Sequence, residues 1–543
     1  MDLLRPIYFF IFKGGKILKN DFLGRSLTVM NDFTIEEEMF LYHQTRKLKE
    51  KWRNKEDCSD FEIKLPSVGI YIVFTEPSTR TKESFINAAK FHKKAKTNIF
   101  EAEHSSFNKN ESYIDTFNML TGYSDYSIFI VRTKLEGTCK LLDEKVSDFA
   151  LRHKLNKPSF INAGDGKHEH PTQELLDEYT FLEQLNFDNS YIHIALVGDL
   201  LHGRTVHSKV SGLRIFKNAA VDLIAPEELQ MPKHYVTKMK ENGFEVRIFD
   251  SIENYLKQEN IAKIWYFTRL QLERMGEDIL EKEHLLRKSV TFRKEFLPLL
   301  PENTKFYHPL PRHKIYPTIP AFLDPLPLNG WEGQAMNGYW TRIILLSMFG
   351  GAITAPFDTS VKNVEINEQD FIVSAPIKDG TKGITKDGKR GIKPIENGTV
   401  IDHIAKGKSL DKIYETIVKI RKILKLYVLD SADGIFKSAD GNFKGYISLP
   451  DVYLSQKDIK KLSAISPNTT VNIIKNSRVC EKYRISLPPR IYNFEELRCK
   501  NESCITNPIN GENVQVSFVR NNDNELICEY CETPHNFEEI WNV

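Results

Sequence analysis

The residues from Val68 to Thr81 constrain this chain more than any other stretch. An apolar, β-branched run, Val68 to Phe74, stops at Glu76-Pro77, and a helical pattern of apolar positions (Phe85, Ala88, Ala89) begins just beyond it. Between strand and helix stand Ser78, Thr79, Arg80 and Thr81, three hydroxyls and a guanidinium in four consecutive positions. A helix N-terminus already presents unpaired backbone N–H groups and the positive end of the helix dipole. Hydroxyl donors and a planar guanidinium fork added there make a seat for a phosphate dianion. The plainer reading is a capped helix whose arginine points into water.

Strand-like and helix-like segments alternate from Leu27 onward: Phe33 to Trp52 as helix, Val68 to Phe74 as strand, Lys82 to Lys94 as helix, Ser127 to Val131 as strand. A second block, starting near Ser159, has strands at Tyr191 to Val197, Val221 to Ile224 and Ile264 to Phe267, with a helix beginning near Arg204. Such alternation predicts α/β units on parallel sheets, where ligands bind beyond the carboxyl ends of strands. At 543 residues the chain is too long for one core. Its 75 basic side chains nearly balance 73 acidic ones, which argues against a polyanion-coating protein. No apolar run reaches the roughly 18 residues a bilayer demands. The longest candidate, Ile343 to Phe357, is interrupted by Ser347, Gly350, Gly351 and Thr354. Near the start, Ile7 to Phe12 is shorter than a signal-peptide core and no small-residue cleavage site follows. The expectation is a cytoplasmic protein with a non-catalytic extension at residues 1–24.

The pattern changes after Phe357. Lys378 to Arg390 is polar, basic and glycine-rich, the composition of a linker or exposed hairpin. A strand (Thr399 to Ile404) and an amphipathic helix (Leu410 to Leu424) follow, then a β-rich region from Val428 to Val471. Seven cysteines are too few for a disulfide scaffold of this size. Four of them pair in the tail: Cys499 and Cys504 are separated by four residues, Cys528 and Cys531 by two, with 23 between the pairs. That spacing fits a closed, structural zinc site, one ion per chain. The tail is acidic (Glu529, Glu532, Glu538, Glu539) and lacks an aromatic-basic platform, so nucleic acid is not an expected partner.

Four further constellations carry chemistry. His168-Glu169-His170-Pro171-Thr172-Gln173 follows a glycine-containing loop, Asn162 to Gly166. Its histidines are two apart before a proline, not four apart on a helix face, so a protease-like zinc site is disfavoured. Val197-Gly198-Asp199 ends a strand, and a helix opens at Arg204-Thr205, where a carboxylate would meet a guanidinium and helix N–H groups. The G-x-G-x-x-G signature is absent, and no organic cofactor is expected. Arg269 and Gln271 lie two apart beyond another strand, on one side of an extended chain. In His308-Pro309-Leu310-Pro311-Arg312 the prolines stiffen a turn able to present backbone carbonyls.

In that order, Ser78 to Thr81, Val131-Arg132, His170 to Gln173, Gly203 to His207, Thr268 to Gln271 and His308 to Arg312 resemble the transcarbamoylase family, and within it the aspartate carbamoyltransferases. The resemblance implies a phosphate held by Ser78, Thr79, Arg80 and Thr81, with Thr81, Arg132 and His170 on the carbamoyl oxygen. It implies Gln173 and the carbonyls of Leu310 and Pro311 on the carbamoyl amide, and Arg204, Arg269 and Gln271 on L-aspartate. Ser105 and Lys109 match a serine and a lysine that the family lends from a neighbouring subunit, which implies a catalytic trimer. Ornithine enzymes share the phosphate half of the site. Two acceptor-side arginines suit a dicarboxylate, and Pro309 stands where ornithine enzymes use a cysteine.

From Gly398 onward the chain resembles the regulatory chain of the same enzyme, on Gly398-Thr399-Val400-Ile401-Asp402-His403-Ile404 and the cysteine spacing. Asp402, His403, Val479 and Lys482 fall at its effector positions, which implies CTP and ATP as effectors and pairing through regulatory domains. Two departures remove cations: Glu396-Asn397 replaces a basic pair, and Ser448 stands where a lysine is expected four positions after Lys444. The implied architecture is a two-domain α/β catalytic unit with parallel sheets, an α+β regulatory domain and a small zinc-binding β domain. Its boundaries are 25–160 for carbamoyl phosphate, 161–328 for aspartate, 329–357 for a returning helix, 358–395 for a linker, 396–487 for the allosteric domain and 488–543 for zinc. The alternative of another class is a catalytically idle, nucleotide-sensing scaffold, which has no need of Arg80, His170, Arg204 and Arg269 together.

Overall fold

The computed structural model describes residues 22–101, 111–271, 282–357, 371–377, 395–427, 431–438, 440–521 and 523–542. Ser105, Lys109 and the basic stretch Lys378 to Arg390 lie outside them. Two compact units divide the chain. The first runs to Val361 and takes in Ser503–Ile505 and Asn510–Glu512; the second holds the rest.

In the first unit, β1 (Val68–Phe74), β2 (Lys96–Glu101), β3 (Tyr126–Thr133) and β4 (Ser159–Asp165) form a parallel sheet in the order β2-β1-β3-β4. Every residue of β1 is buried, with Ile70, Ile72 and Phe74 in one core cluster and Tyr71 and Val73 in another. A strand covered on both faces has no solvent side to mark with polar residues, which is why it reads as an unbroken apolar run. The helices here are α1 (Ile35–Arg53), α2 (Thr79–Phe91), α3 (Tyr113–Thr121) and α4 (Thr138–Arg152). Thr34 and Glu37 close a capping box on α1.

The second block expected from Ser159 begins later, at Ile192, because β4 pairs with β3 and completes the first sheet. α5 (Pro171–Gln184) leads on to β5 (Ile192–Val197), β6 (Ala219–Ile224), β7 (Glu245–Phe249), β8 (Ile264–Phe267) and β9 (Lys305–Tyr307). These pair in parallel in the order β7-β6-β5-β8-β9. Helices α6 (Arg204–Gly212), α7 (Lys233–Glu241), α8 (Ile252–Tyr255), α9 (Glu283–Val290) and α10 (Trp331–Phe349) accompany them. α10 packs against α1, α2 and α5. The apolar run at Ile343 is therefore a core helix, and among the described residues no helix is long and apolar enough to cross a membrane.

In the second unit, β10 (Ile372–Ser374), β11 (Gly398–Ile404), β12 (Ala432–Lys437), β13 (Phe443–Pro450), β14 (Thr470–Lys475) and β15 (Arg478–Ile485) form an antiparallel sheet ordered β10-β15-β14-β11-β13-β12. β10 lies inside the stretch expected to be a linker; it pairs with β15. α11 (Leu410–Ile423) buries Ile413, Ile417 and Ile420 as one stripe. α12 (Gln456–Ile465), in a region expected to be β-rich, starts at a capping box of Ser455 and Asp458. A second, smaller antiparallel sheet follows in the order β16 (Arg490–Ile491), β17 (Phe518–Arg520), β18 (Leu526–Cys528), β19 (Pro534–His535).

Candidate active site and metal centre

The expected helix from Lys82 starts three residues earlier, so the motif itself forms its first turn. Ser78 is the N-cap of α2, in extended backbone, and Thr79, Arg80 and Thr81 follow. Thr79 and Arg80 are exposed and Thr81 is buried, its Oγ1 lying 3.5 Å from His170 Nε2. His170 is the N-cap of α5, and Pro171 takes the first helical position, where a missing N–H costs nothing. Burial, then the charges of Arg132, Arg204 and Arg342, push the His170 pKa well below its ordinary value. At neutral pH the imidazole is uncharged and offers one N–H.

Arg132 ends β3. Its Nη1 donates to the Ala163 carbonyl at 3.0 Å, and its Nη2 lies 3.0 Å from Glu76 Oε2. Arg204 opens α6, with Nη1 donating to the Gly166 carbonyl at 2.5 Å and standing 3.8 Å from the same Glu76 oxygen. The two guanidiniums meet over Gly164, whose φ is +116°. A Cβ there would lie 2.6 Å from Arg132 Nη1 and 3.5 Å from Arg204 Cζ. Only glycine leaves that room. Burial, then the Arg204 charge, lowers the Arg132 pKa to about 10, against Glu76 and Asp165, so it stays a cation at neutral pH. Glu76 reads in the sequence only as the end of a strand. Its bridging role arises from the convergence of two loops, and the one available signal was an acid next to an anion motif.

On the acceptor side, Gln271 donates its backbone N–H to Asp199 Oδ2 at 3.1 Å and its Nε2 to the His202 carbonyl at 3.2 Å. Asp199 in turn receives its own backbone geometry from Thr268, whose Oγ1 accepts the Asp199 N–H at 2.8 Å. Arg269 is half-buried beside this junction. His308 is held at a pKa of about 3 by burial, then by the charges of Arg312, Arg80 and Arg269. Arg80, in the first turn of α2, and Arg269, just beyond β8, thus both act on one neutral imidazole by their charge. Arg312 donates to Asp324 through Nη1 and Nη2, at 2.5 and 3.1 Å. Leu310 sits in the left-handed region (φ 53°) and precedes a cis peptide bond to Pro311. Gln173 occupies the first turn of α5, its Nε2 bonded to Asp177 at 2.9 Å. A hydroxyl in contact with a neutral imidazole, with the charge of the buried Arg132 guanidinium acting on that ring, suits an anionic substrate with a carbonyl oxygen.

In the tail, Cys499, Cys504, Cys528 and Cys531 are buried, with their four sulfurs within 4.8 Å of one another. Cys499 Sγ and Cys531 Sγ are 3.6 Å apart, too far for a disulfide. Tetrahedral thiolate ligation at ~2.3 Å per bond sets sulfurs ~3.8 Å apart, so the donor set fits zinc.

The carbamoyl-phosphate-binding domain of aspartate and ornithine carbamoyltransferases matches residues 25–183. The allosteric domain of the aspartate carbamoyltransferase regulatory chain matches 390–486, and its metal-binding domain 489–541. Over 528 residues, 97% of this chain and the whole of the relative, the sequence is 74% identical to Protein PyrBI of Thermotoga maritima. This chain belongs to the aspartate carbamoyltransferase family. Catalytic and regulatory chains are fused in it, as the three domain matches lie on one polypeptide. Protein PyrBI of Treponema denticola is 52% identical over 96% of this chain and 99% of its own. Aspartate transcarbamoylase from Trypanosoma cruzi, solved in complex with N-(phosphonacetyl)-L-aspartic acid, aligns with a TM-score of 0.51 at 27% identity, covering 62% of this chain and 98% of its own. The ornithine alternative shares only the first of the three domain matches; the other two are described for the aspartate enzyme.

Within the regulatory region of this aspartate carbamoyltransferase, Asp402 and His403 lie on β11, and Val479 and Lys482 on β15, with β14 between them. Lys444 of β13 was not among the expected effector positions. It is buried, its Nζ 2.8 Å from Asp402 Oδ2 and 3.3 Å from His403 Nε2. Burial alone would raise the Asp402 pKa; hydrogen bonds from His403 and Lys444, with the Lys444 charge, outweigh it and hold the carboxyl at about 2. Ser448, four residues along the same strand and therefore on the same face, is buried.

Proposed function

We propose that Thr81, Arg132 and His170 act on the carbamoyl oxygen of carbamoyl phosphate while Ser78, Thr79, Arg80 and Thr81 hold its phosphate. The reaction is that of the family: the amine of L-aspartate forms a bond to the carbamoyl carbon, the carbon–oxygen bond to phosphate breaks, and N-carbamoyl-L-aspartate enters pyrimidine biosynthesis. Negative charge develops on the carbamoyl oxygen as the amine attacks. A hydroxyl, a neutral imidazole N–H and a guanidinium aimed at one point stabilise that charge without reorganising. The amine proton leaves with the departing phosphate, the strongest base released in the step. Arg204, Arg269 and Gln271 hold the two carboxylates of aspartate. The meeting of Arg132 and Arg204 over Gly164, beside the Thr81–His170 contact, carries this reading.

The direct test is a colorimetric assay for carbamoyl-aspartate on the full chain beside Arg80→Ala. The parent is expected to form product, and the variant to need far more carbamoyl phosphate. A parent that forms none would sink the reading. The regulatory region implies an oligomer. A catalytic trimer, with Ser105 and Lys109 reaching a neighbouring site, regulatory-domain pairing, a structural zinc ion on Cys499, Cys504, Cys528 and Cys531, and a cytoplasmic setting complete the proposal. The thiols of the cysteine cluster suit a reducing compartment. The domain boundaries given by the sequence belong to it too.

Nucleotide control is expected to be weak. Lys444 is already neutralised by Asp402, and Ser448 offers a triphosphate no charge. CTP titrated into aspartate saturation curves should shift half-saturation by less than about twofold, since each lost charge-assisted contact costs ~1.5–3 kcal/mol of effector binding. Strong CTP inhibition at micromolar levels would contradict this.

A further inference from the structure

The buried Asp177 carboxylate has three donors on it. Gln173 Nε2 and Gln334 Nε2 reach Oδ1 at 2.9 and 2.6 Å, and Lys209 Nζ reaches Oδ2 at 2.8 Å. Each donor comes from a different helix. Gln173 stands three residues after His170, on α5. Lys209 is on α6, which opens with Arg204, and its Nζ also meets Glu174 at 2.5 Å. Gln334, on α10, accepts the His308 N–H through Oε1 at 2.8 Å, and His308 Nδ1 accepts the Leu310 N–H at 2.7 Å.

An ionised carboxylate only accepts. Both glutamine amides must therefore turn their NH2 groups to Asp177 and point their carbonyl oxygens away from it. We infer that Asp177 is a positioning and specificity residue: it locks Gln173 with Oε1 toward the substrate, so that the amide wall of the site presents acceptors only. The inference rests on the reading above, in which Gln173 and the Leu310 and Pro311 carbonyls face the carbamoyl group. Among acyl phosphates such a wall selects the one whose acyl carbon bears an NH2. A methyl group in that place, as in acetyl phosphate, leaves the acceptors dry and unpaired.

Asp177→Asn tests this by arithmetic on oxygens. Asparagine has one carbonyl oxygen for three donors. The ammonium of Lys209, fully buried and cationic, takes it. The new NH2 then faces Gln173 and Gln334, which must rotate their amides, and Gln173 turns a donor toward the carbamoyl NH2. The measurement is KM for carbamoyl phosphate and the competitive Ki of acetyl phosphate, on full-length parent and variant, with thermal unfolding alongside. The expected result is a KM raised about tenfold or more with the acetyl phosphate Ki moving less than about twofold. Equal weakening of both ligands would mean a merely structural role and overturn the proposal, as would no change in either. Should Lys209 unsettle the single variant, Asp177→Asn with Lys209→Gln removes the pair together, and the same selectivity ratio is read. A parent with no carbamoyl transfer would instead fault the functional reading, so the two failures are distinct.

Discussion

Replacing Arg132 by alanine is expected to lower kcat for carbamoyl transfer by about a hundred- to a thousandfold, the range for removing one donor from a preorganised oxyanion site. The position leaves little for water to repair. Arg132 is buried at the end of β3 and divides its guanidinium between the Ala163 carbonyl and Glu76. With it gone, Glu76 keeps, among the described residues, the more distant Arg204, at 3.8 Å, as its ion-pair partner. Lysine should not rescue the loss, because an ammonium cannot span the Ala163 carbonyl, Glu76 and a substrate oxygen as a planar fork does. The effect should fall on kcat more than on the KM for aspartate, whose proposed ligands lie at the start of α6 and just beyond β8. The measurement is steady-state kinetics on parent, Arg132→Ala and Arg132→Lys, with thermal unfolding to establish that each is folded. A kcat within tenfold of the parent for the alanine variant would remove Arg132 from the oxyanion role.

Which of these features the sequence announces follows from their physics. β1 and β8 end where the sequence places them, because strands covered on both faces are apolar throughout and stop where polarity begins. The cysteine cluster is legible because metal ligation fixes spacing along the chain. β4 is harder. Its residues state that it is a strand but not which sheet accepts it, and that choice is tertiary. α12 hid behind Lys457, Lys460 and Lys461, although Ser455 and Asp458 already marked its start. In the candidate site, the sequence motifs single out cations and leave the acids that hold them without a role. Glu76, Asp177 and Asp199 act by holding Arg132, Gln173 and Gln271, and a search for groups that bind anions passes over carboxylates. Their roles depend on loops from separate strands converging, which no local pattern records.

Stripping the metal from the tail is expected to unfold residues 488–543 while carbamoyl transfer at saturating substrate persists. The tail's own sheet is slight: its strands are two or three residues long, well below the length at which a small sheet is stable alone. Structural zinc in such sites is worth ~10–16 kcal/mol of folding free energy. The surroundings are built to aim the ligands. The Lys500 N–H donates to His535 Nε2 at 3.0 Å, and His535 Nδ1 lies 2.8 Å from the Thr533 carbonyl, fixing the turn after Cys531. The proposed substrate ligands all lie at or before Pro311, which is why the chemistry should outlast the metal. A chromophoric chelator titration should release one zinc per chain, and limited proteolysis should then cut after Leu487 while leaving the region up to Phe357 intact. Acidification should release the ion as well, because the ligands must be thiolates. A tail that stays resistant to protease after complete metal release, or a chain that carries no stoichiometric metal, would reject the structural role.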